Sequence, residues 1–149
     1  MPYRKGEIMG DRPIDAILRG VEAWHEWRGR NAAIRAPDLS GTDLSGMNLS
    51  KANFSQVSFV RANLSEANLS GADLTGGHLS GVLLSGAKLT GTNLSGARLF
   101  VLRPDLRNTN LSETISLTQE QIEQARGNEQ TELPEHLKPP ASWSQSSHD

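Results

Sequence analysis

The sequence predicts a solenoid, an elongated chain that turns a corner after every short extended unit. Three observations support this fold class. An apolar residue returns at every fifth position from Leu39 to Leu99, small residues stand two positions before most of these centres, and glycine often stands two positions after them. Such a regular phase over the middle of a chain is typical of a repeat protein rather than of a low-complexity segment.

A period of five residues does not fit a continuous helix or strand. Five residues advance an α-helix by about 500°, which scatters the apolar positions around the cylinder. On a continuous strand, five steps place successive apolar residues on opposite faces. The chain must therefore bend after each unit, so that every central residue points inward again.

The other positions of the unit agree with a chain that bends. The residue before the centre points outward and is mostly Asp or Asn, the residue after it is mostly Ser or Thr, and glycine is common at the corner, where its tolerance of unusual φ is useful. We expect the central residues to form the core: Leu39, Leu44, Leu49, Phe54, Phe59, Leu64, Leu69, Leu74, Leu79, Leu84, Leu89, Leu94, Leu99, Leu106 and Leu111.

Units such as Ala62-Asn63-Leu64-Ser65-Glu66 and Ala67-Asn68-Leu69-Ser70-Gly71 follow the pattern A-[D/N]-L-[S/T]-G. Over residues 37–113 the chain closely resembles the pentapeptide-repeat family, in its stand-alone bacterial type. The resemblance implies an all-β solenoid, a right-handed quadrilateral parallel β-helix with four units per coil. Residues 20 apart would then share a face, and coils would stack roughly 4.8 Å apart through backbone hydrogen bonds.

The N-terminal segment, residues 1–36, is predicted to cover one end of this rod. Residues 13–30 have the three- and four-residue apolar spacing of an amphipathic helix, and Pro13 suits its first turn. The side chains expected to form this cap are Ile14, Leu18, Val21, Trp24 and Trp27. A helix that binds a partner is the alternative, and it would need apolar residues left over after capping.

The repeat changes phase after Leu99, and this marks the approach to the other end. The next centre is Leu106, so two residues are inserted near 100–104 before the repeats end at 113. Residues 114–149 are predicted to form a short helical cap and an irregular tail. Thr118 and Gln121 have the spacing of a capping box, the helix carries Ile122, and Trp143 is expected to lie against the body.

The sequence indicates no catalytic, cofactor or metal site, and we expect a protein that is not an enzyme. The absence of cysteine excludes disulfides, thiolate zinc sites and a cysteine nucleophile. The four histidines have no ligand spacing, and we interpret His25 as an exposed helix residue. No secretory signal or membrane span is apparent, so the chain is expected in the cytoplasm.

Exceptions to the repeat gather on one side of the predicted rod. Val60 and Phe100 break the Ser/Thr rule on the face that also carries His78 and Arg98. Leu83 is an outward leucine around the next corner, and the insertion begins at the end of this face. The candidate interaction face is therefore Val60, His78, Leu83, Arg98, Phe100 and Arg103. The alternative is that the C-terminal segment folds back and covers Val60 and Phe100.

Family resemblance implies one further function, the mimicry of DNA by modulators of type II topoisomerases such as gyrase. Residues 37–101 carry four acidic and four basic side chains, whereas a duplex carries about one negative charge per 1.7 Å of axis. We therefore favour a non-enzymatic scaffold or interaction module for a protein partner of unknown identity, as a monomer or dimer. Direct binding to nucleic acid or membranes is not expected, and the predicted caps oppose a third role in end-to-end assembly.

Overall fold

The computed structural model describes residues 11–98 and 104–144. Its helices are, in order, α1 (Pro13–Leu18), α2 (Val21–Arg30), α3 (Gln119–Glu123) and α4 (Ala141–Ser144). Between α2 and α3 the chain winds into the coils of a β-helix solenoid. Leu99, Phe100 and Arg103 from the sequence predictions lie outside the described residues.

Four ladders of parallel single-residue bridges run along the rod, and we number the four faces after them. Face 1 is Asp38–Ser58–His78–Arg98, face 2 is Asp43–Asn63–Leu83–Asp105–Arg126, face 3 is Asn48–Asn68–Lys88–Asn110–Glu132, and face 4 is Asn53–Asp73–Asn93–Ile115. The first three coils repeat every 20 residues, which is four units of five. The step from Leu83 to Asp105 is 22 residues, in agreement with the predicted two-residue insertion.

Backbone hydrogen bonds connect each coil to both of its neighbours. On face 2, the Leu44 N–H donates to the Asn63 carbonyl at 2.8 Å, and the Asn63 N–H donates to the Thr42 carbonyl at 2.9 Å. The corners have positive φ, as at Gly46 (φ 70°) and at the non-glycine residue Arg61 (φ 59°). The corner amide also bonds the next coil, since the Gly46 N–H donates to Ser65 O at 2.9 Å.

The preference for Asp or Asn before each centre has a local cause that we did not infer from the sequence. The side-chain Oδ1 of this residue accepts the backbone N–H two residues later, as in Asp73 with Thr75 (2.9 Å) and Asn93 with Ser95 (2.9 Å). Asp and Asn are the side chains that form such turns most readily. A unit with Asp or Asn at this position therefore stabilises its own corner in addition to the ladder.

The predicted central residues fill the interior of the rod. Every one that the structure describes is at most 2% exposed. The small residues two positions earlier, such as Ala52, Ala62 and Ala72, are buried beside them. At roughly 2–5 kcal/mol for the truncation of one buried leucine, this apolar column is the main contribution of side chains to the stability of the coils.

The N-terminal helical region differs from the single helix predicted over 13–30. It breaks after Leu18, and Gly20 has a φ of 114° that suits glycine alone. Within α1, Ala16 and Ile17 face inward while Leu18, the last residue of this helix, is 54% exposed. The prediction of Leu18 as a cap residue was therefore wrong. Ile14 and Val21 pack partly buried against the core.

Helix α2 packs against the first coil through a row of aromatic rings. Trp24 stacks on Trp27 with centroids 5.5 Å apart and contacts Phe54 at 5.4 Å, and Phe54 meets Phe59 edge-on at 5.0 Å. Both tryptophans are at most 1% exposed. Their indole N–H groups are satisfied by the carbonyls of Asn53 (2.7 Å) and Asp11 (2.8 Å).

Side chains of α2 also satisfy the backbone edge of face 4, where no earlier coil exists. The Trp24 indole and Arg28 both donate to the Asn53 carbonyl, and Arg28 donates to the Ser55 carbonyl at 2.9 Å. His25 Nε2 accepts the Asn53 N–H at 2.9 Å. Together these side chains take the place of a preceding strand. His25 is exposed, as predicted, but its role as an acceptor was missed.

The C-terminal segment extends the ladders beyond the predicted boundary at 113. Arg126 bridges to Asp105, and Glu132 bridges to Asn110. The capping box of α3 is present, with Gln121 N–H donating to Thr118 Oγ1 and Thr118 N–H donating to Gln121 Oε1. This segment therefore adds a partial coil to the rod through Arg126 and Glu132, which the sequence did not predict.

Two tertiary contacts hold the last segment in place. Gln121 Nε2 donates to the Ala97 carbonyl at 3.2 Å, and Ile122 is fully buried. Trp143 is 2% exposed, lies against Gly127, and donates from Nε1 to the Ala125 carbonyl at 3.2 Å.

One ion pair in the last full coil is partly buried. Arg107 Nη2 lies 2.7 Å from Asp105 Oδ2, and the Arg107 backbone N–H bonds Asp105 Oδ1 at 3.1 Å. Burial raises the pKa of the Asp105 carboxyl, but the Arg107 hydrogen bonds and charge outweigh it, so the pKa lies below its ordinary value.

We expect His25→Ala to destabilise the protein by about 1 kcal/mol, because the Asn53 N–H loses its acceptor. Amide hydrogen exchange at Asn53 should accelerate more than exchange in the second and third coils. Glu26→Ala, at an exposed neighbouring position on α2, is the matched control and should change neither quantity. Unchanged exchange at Asn53 in His25→Ala would contradict the proposed edge contact.

Asp105→Asn should lower stability at neutral pH while keeping the local turn, because Asn110 forms the same turn with the Ser112 N–H. The lowered pKa means that the native state favours the charged carboxylate. Its stabilising effect is present above the ordinary Asp pKa of about 3.9 and is lost as the pH falls through the lower native value.

Urea unfolding of both proteins between pH 7 and pH 2 tests this expectation, and the stability difference should shrink towards the acid end. Asp38→Asn has the same kind of turn, to the Ser40 N–H, without an ion pair and serves as the control. A stability difference that is constant with pH would contradict the charge interaction.

Candidate interaction surface

The structure brings four of the predicted interaction residues to one edge of the rod. His78 and Arg98 follow Ser58 on the ladder of face 1. Val60 lies on the same face in the second coil, where its carbonyl accepts the Gly41 N–H at 2.9 Å. Leu83 is in the same coil as His78, on face 2, just past the corner residue Gly81. We call Val60, His78, Leu83 and Arg98 the corner surface.

The side-chain turn of the repeat is interrupted at His78, Leu83 and Arg98 of the corner surface, and also at Lys88 on face 3. His78, Leu83, Lys88 and Arg98 stand at the position that Asp or Asn occupies in most of the other units, and they have no side-chain oxygen to accept the N–H two residues later. Along the chain, three successive units lack this turn. Only the third coil lacks the turn on three consecutive faces. We did not predict this from the sequence, because we compared residues along each face and not along the chain.

The backbone beneath these exceptions remains fully regular. The His78 N–H donates to Val57 O at 3.0 Å and the Leu83 N–H donates to Ala62 O at 3.0 Å. The residues therefore present unusual side chains on an unchanged ladder. Sites held by rigid secondary structure keep their geometry better than sites on loops.

Exposure and charge distinguish the corner surface from the other faces. Leu83 is 43% exposed, one of the few large apolar side chains outside the core, while Val60 and His78 are half-buried. Arg98 and the corner residue Arg61 are exposed beside them. An apolar side chain next to arginines is a combination enriched in protein interfaces.

The described part of the C-terminal segment packs on the end of the rod. Its hydrogen bonds reach Ala97 from Gln121 and Leu106 from Thr131, and its ladder pairs continue faces 2 and 3. None of the hydrogen bonds that residues 104–144 make reaches Val60 or His78. The hydrogen bonds of residues 104–144 therefore do not hold this segment along Val60 and His78 of face 1.

The structure offers little for other chemistry in residues 11–98 and 104–144. These ranges contain no group of three or more His, Asp or Glu side chains arranged to hold a metal ion. Every buried side-chain polar atom that they contain has a hydrogen-bond partner. Their helices are also too short or too polar to cross a membrane.

Comparison with protein families gives one match. Residues 38–76 and 67–100 match the model for pentapeptide repeats, with eight copies. No curated protein matches the sequence.

Several solved structures resemble parts of this chain. The pentapeptide repeat protein Rfr23 from the cyanobacterium Cyanothece 51142 is 27% identical, with 70% of this chain and 57% of that chain covered and a TM-score of 0.38. A pentapeptide repeat protein from the Arabidopsis thaliana thylakoid lumen is 28% identical, with 60% and 77% covered and a TM-score of 0.28. HetL from Nostoc sp. strain PCC 7120, involved in heterocyst differentiation regulation, is 26% identical, with 65% and 55% covered and a TM-score of 0.25.

This chain thus spans little more than half the length of Rfr23 and of HetL. The assignment of these units depends on the repeats themselves and not on these structural likenesses. The five-residue period, the four ladders and the match over residues 38–100 identify these units as pentapeptide repeats.

Proposed function

We propose that this protein is a non-enzymatic interaction module that binds a protein partner through the corner surface. The observation that supports this most directly is the loss of the side-chain turn at His78 and Leu83. A hydrogen bond of that kind contributes about 0.5–1.5 kcal/mol. Successive units lack this hydrogen bond although the backbone ladder beneath them is intact. A role in binding explains these residues better than a role in folding.

The composition of the corner surface favours a protein partner over other ligands. Leu83 is 43% exposed and would gain about 1 kcal/mol or more from burial in an interface. The neighbouring Arg98 can bond carboxylates or carbonyls at the rim. A flat face of a rod has no enclosure for a small substrate, whereas it can contact a second flat surface over several coils.

Charge balance counts against the topoisomerase-modulator alternative. In residues 37–98 the acids are Asp38, Asp43, Glu66 and Asp73, and the bases are Lys51, Arg61, Lys88 and Arg98, so the net charge is zero. DNA mimicry needs a dense negative surface, and the corner surface is positive. We therefore do not extend that role to this chain.

We propose that the helices at both ends of the rod act as its caps. Trp24, His25 and Arg28 satisfy the first edge of face 4, and Gln121 bonds the last described residues of the third coil. Caps that satisfy solenoid ends keep such rods from associating edge to edge. This supports a side face, rather than an end, as the main binding surface.

The double variant His78→Asn/Leu83→Asn restores the repeat pattern and tests the proposal. The new Asn side chains can accept the Ser80 and Ser85 N–H groups, so we expect unchanged or slightly higher thermal stability. Partner binding should nevertheless be lost. Affinity capture from host extract with quantitative mass spectrometry, together with thermal unfolding, measures both effects.

Asn93→Asp is the matched control, because it lies in the same coil on face 4 and keeps its turn to Ser95. It should retain every protein captured by the wild type. If the double variant also retains them, the corner surface is not the binding site. If the double variant is instead strongly destabilised, His78 and Leu83 have a structural role.

A further inference from the structure

A concave site lies at the N-terminal end of the rod, away from the flat corner surface. It is an open groove of about 640 Å³ between α2, the linker that follows it and the first coil. The lining residues that matter here are His25, Arg28, Ile34, Arg35, Asn53 and Gln56. The family model does not include the helix or the linker, because it begins at residue 38.

The groove is lined by two arginines, Arg28 and Arg35, and by no acidic side chain. In the described ranges the ion pairs are Arg12–Asp15, Arg30–Asp11 and Arg107–Asp105. Neither arginine of the groove therefore has a carboxylate partner there.

Arg28 is held in place before any ligand binds. Its guanidinium donates to the carbonyls of Asn53 (3.1 Å) and Ser55 (2.9 Å) and lies over the Trp24 ring at 5.9 Å. Burial lowers the pKa of Arg28, and the charge of Asp73 acts in the opposite direction. A partly desolvated cation that is already fixed interacts strongly with an added anion.

The remaining polar groups of the groove can also donate hydrogen bonds. His25 accepts the Asn53 N–H at Nε2, so in the neutral ring the proton is on Nδ1 and is available to a ligand. Gln56 contributes an amide at the first corner between faces 4 and 1. The set of donors therefore suits a ligand rich in carboxylate oxygens.

The apolar part and the shape of the groove indicate a peptide. Ile34 is 41% exposed, and it provides an apolar contact beside the charges. The groove is open along its length, unlike the enclosed cavities that bury most of a small molecule. Single-stranded nucleic acid would need exposed aromatic rings for stacking, and Trp24, Trp27 and Phe54 are buried.

We propose that this groove binds an extended acidic peptide segment of a partner protein. Carboxylates of the segment pair with Arg35 and with the free edge of Arg28, and an apolar side chain of the segment packs on Ile34. The proposal does not depend on the corner surface, since the two sites share no residue.

Fluorescence anisotropy with a labelled, end-blocked peptide of alternating Glu and Leu tests the groove at low salt. We expect binding to the wild-type protein that weakens about tenfold in Arg35→Glu, which corresponds to the loss of a single charge contact. Ile34→Ser should weaken binding severalfold. Both positions are exposed, so thermal unfolding should show that these variants still fold.

Lys88→Glu is the charge-matched control, on face 3 of the third coil, and should bind the peptide like the wild type. Equal weakening in Lys88→Glu would show that attraction is non-specific and would overturn the proposal. So would absence of binding, tighter binding of a single-stranded oligonucleotide, or self-association by light scattering that Arg35→Glu abolishes. A peptide of alternating Lys and Leu should not bind.

Discussion

The hydrogen-bonded ladder between successive coils is the interaction on which the rest of this structure depends. Each unit sends N–H groups to the next coil and receives one from it, and this exchange works only if the chain returns to the same face after a full turn. The central leucines point inward because the ladder fixes their direction. The positive φ at each corner follows from the same requirement, since the chain must change direction within one unit.

A ladder that satisfies every interior backbone group leaves two unsatisfied ends. At the first coil the structure meets this demand on face 4 with side chains of α2, and one of them, Trp24, also covers the apolar interior. At the other end, α3 and the partial coil through Arg126 and Glu132 serve the same purpose. The terminal segments are therefore part of the solenoid energetically, although they lack its sequence pattern.

The middle of this fold could be predicted from the sequence because an apolar residue stands at every fifth position from Leu39 to Leu99. The central residues and the shift after Leu99 follow from counting, and the structure places Leu106 and Leu111 where the count requires. The ends could not be predicted in the same way. Arg126 and Glu132 join the ladders through backbone hydrogen bonds. Such bonds do not depend on the side chain, so the sequence does not indicate them.

Other differences arise from local geometry that residue spacing does not record. Leu18 has the spacing of an inward residue in a helix over 13–30, yet the helix ends there and Leu18 lies on its exposed side. His25 is an ordinary exposed residue in the sequence, and its role appears only when α2 meets the edge at Asn53. For the candidate site, the sequence showed which residues break the repeat pattern. That these residues lack the side-chain turn of the other units became visible only in the structure.

The steps along the ladders have a consequence for how such a rod can change. A step of 20 residues becomes 22 between Leu83 and Asp105, 21 between Asp105 and Arg126, and 22 between Asn110 and Glu132, while the bridges continue in register. A gain of residues at one corner is therefore local and does not propagate into the coils on either side. Variation can add length at a corner, and so create new contacts with other molecules, without redesigning the interior that keeps the protein folded.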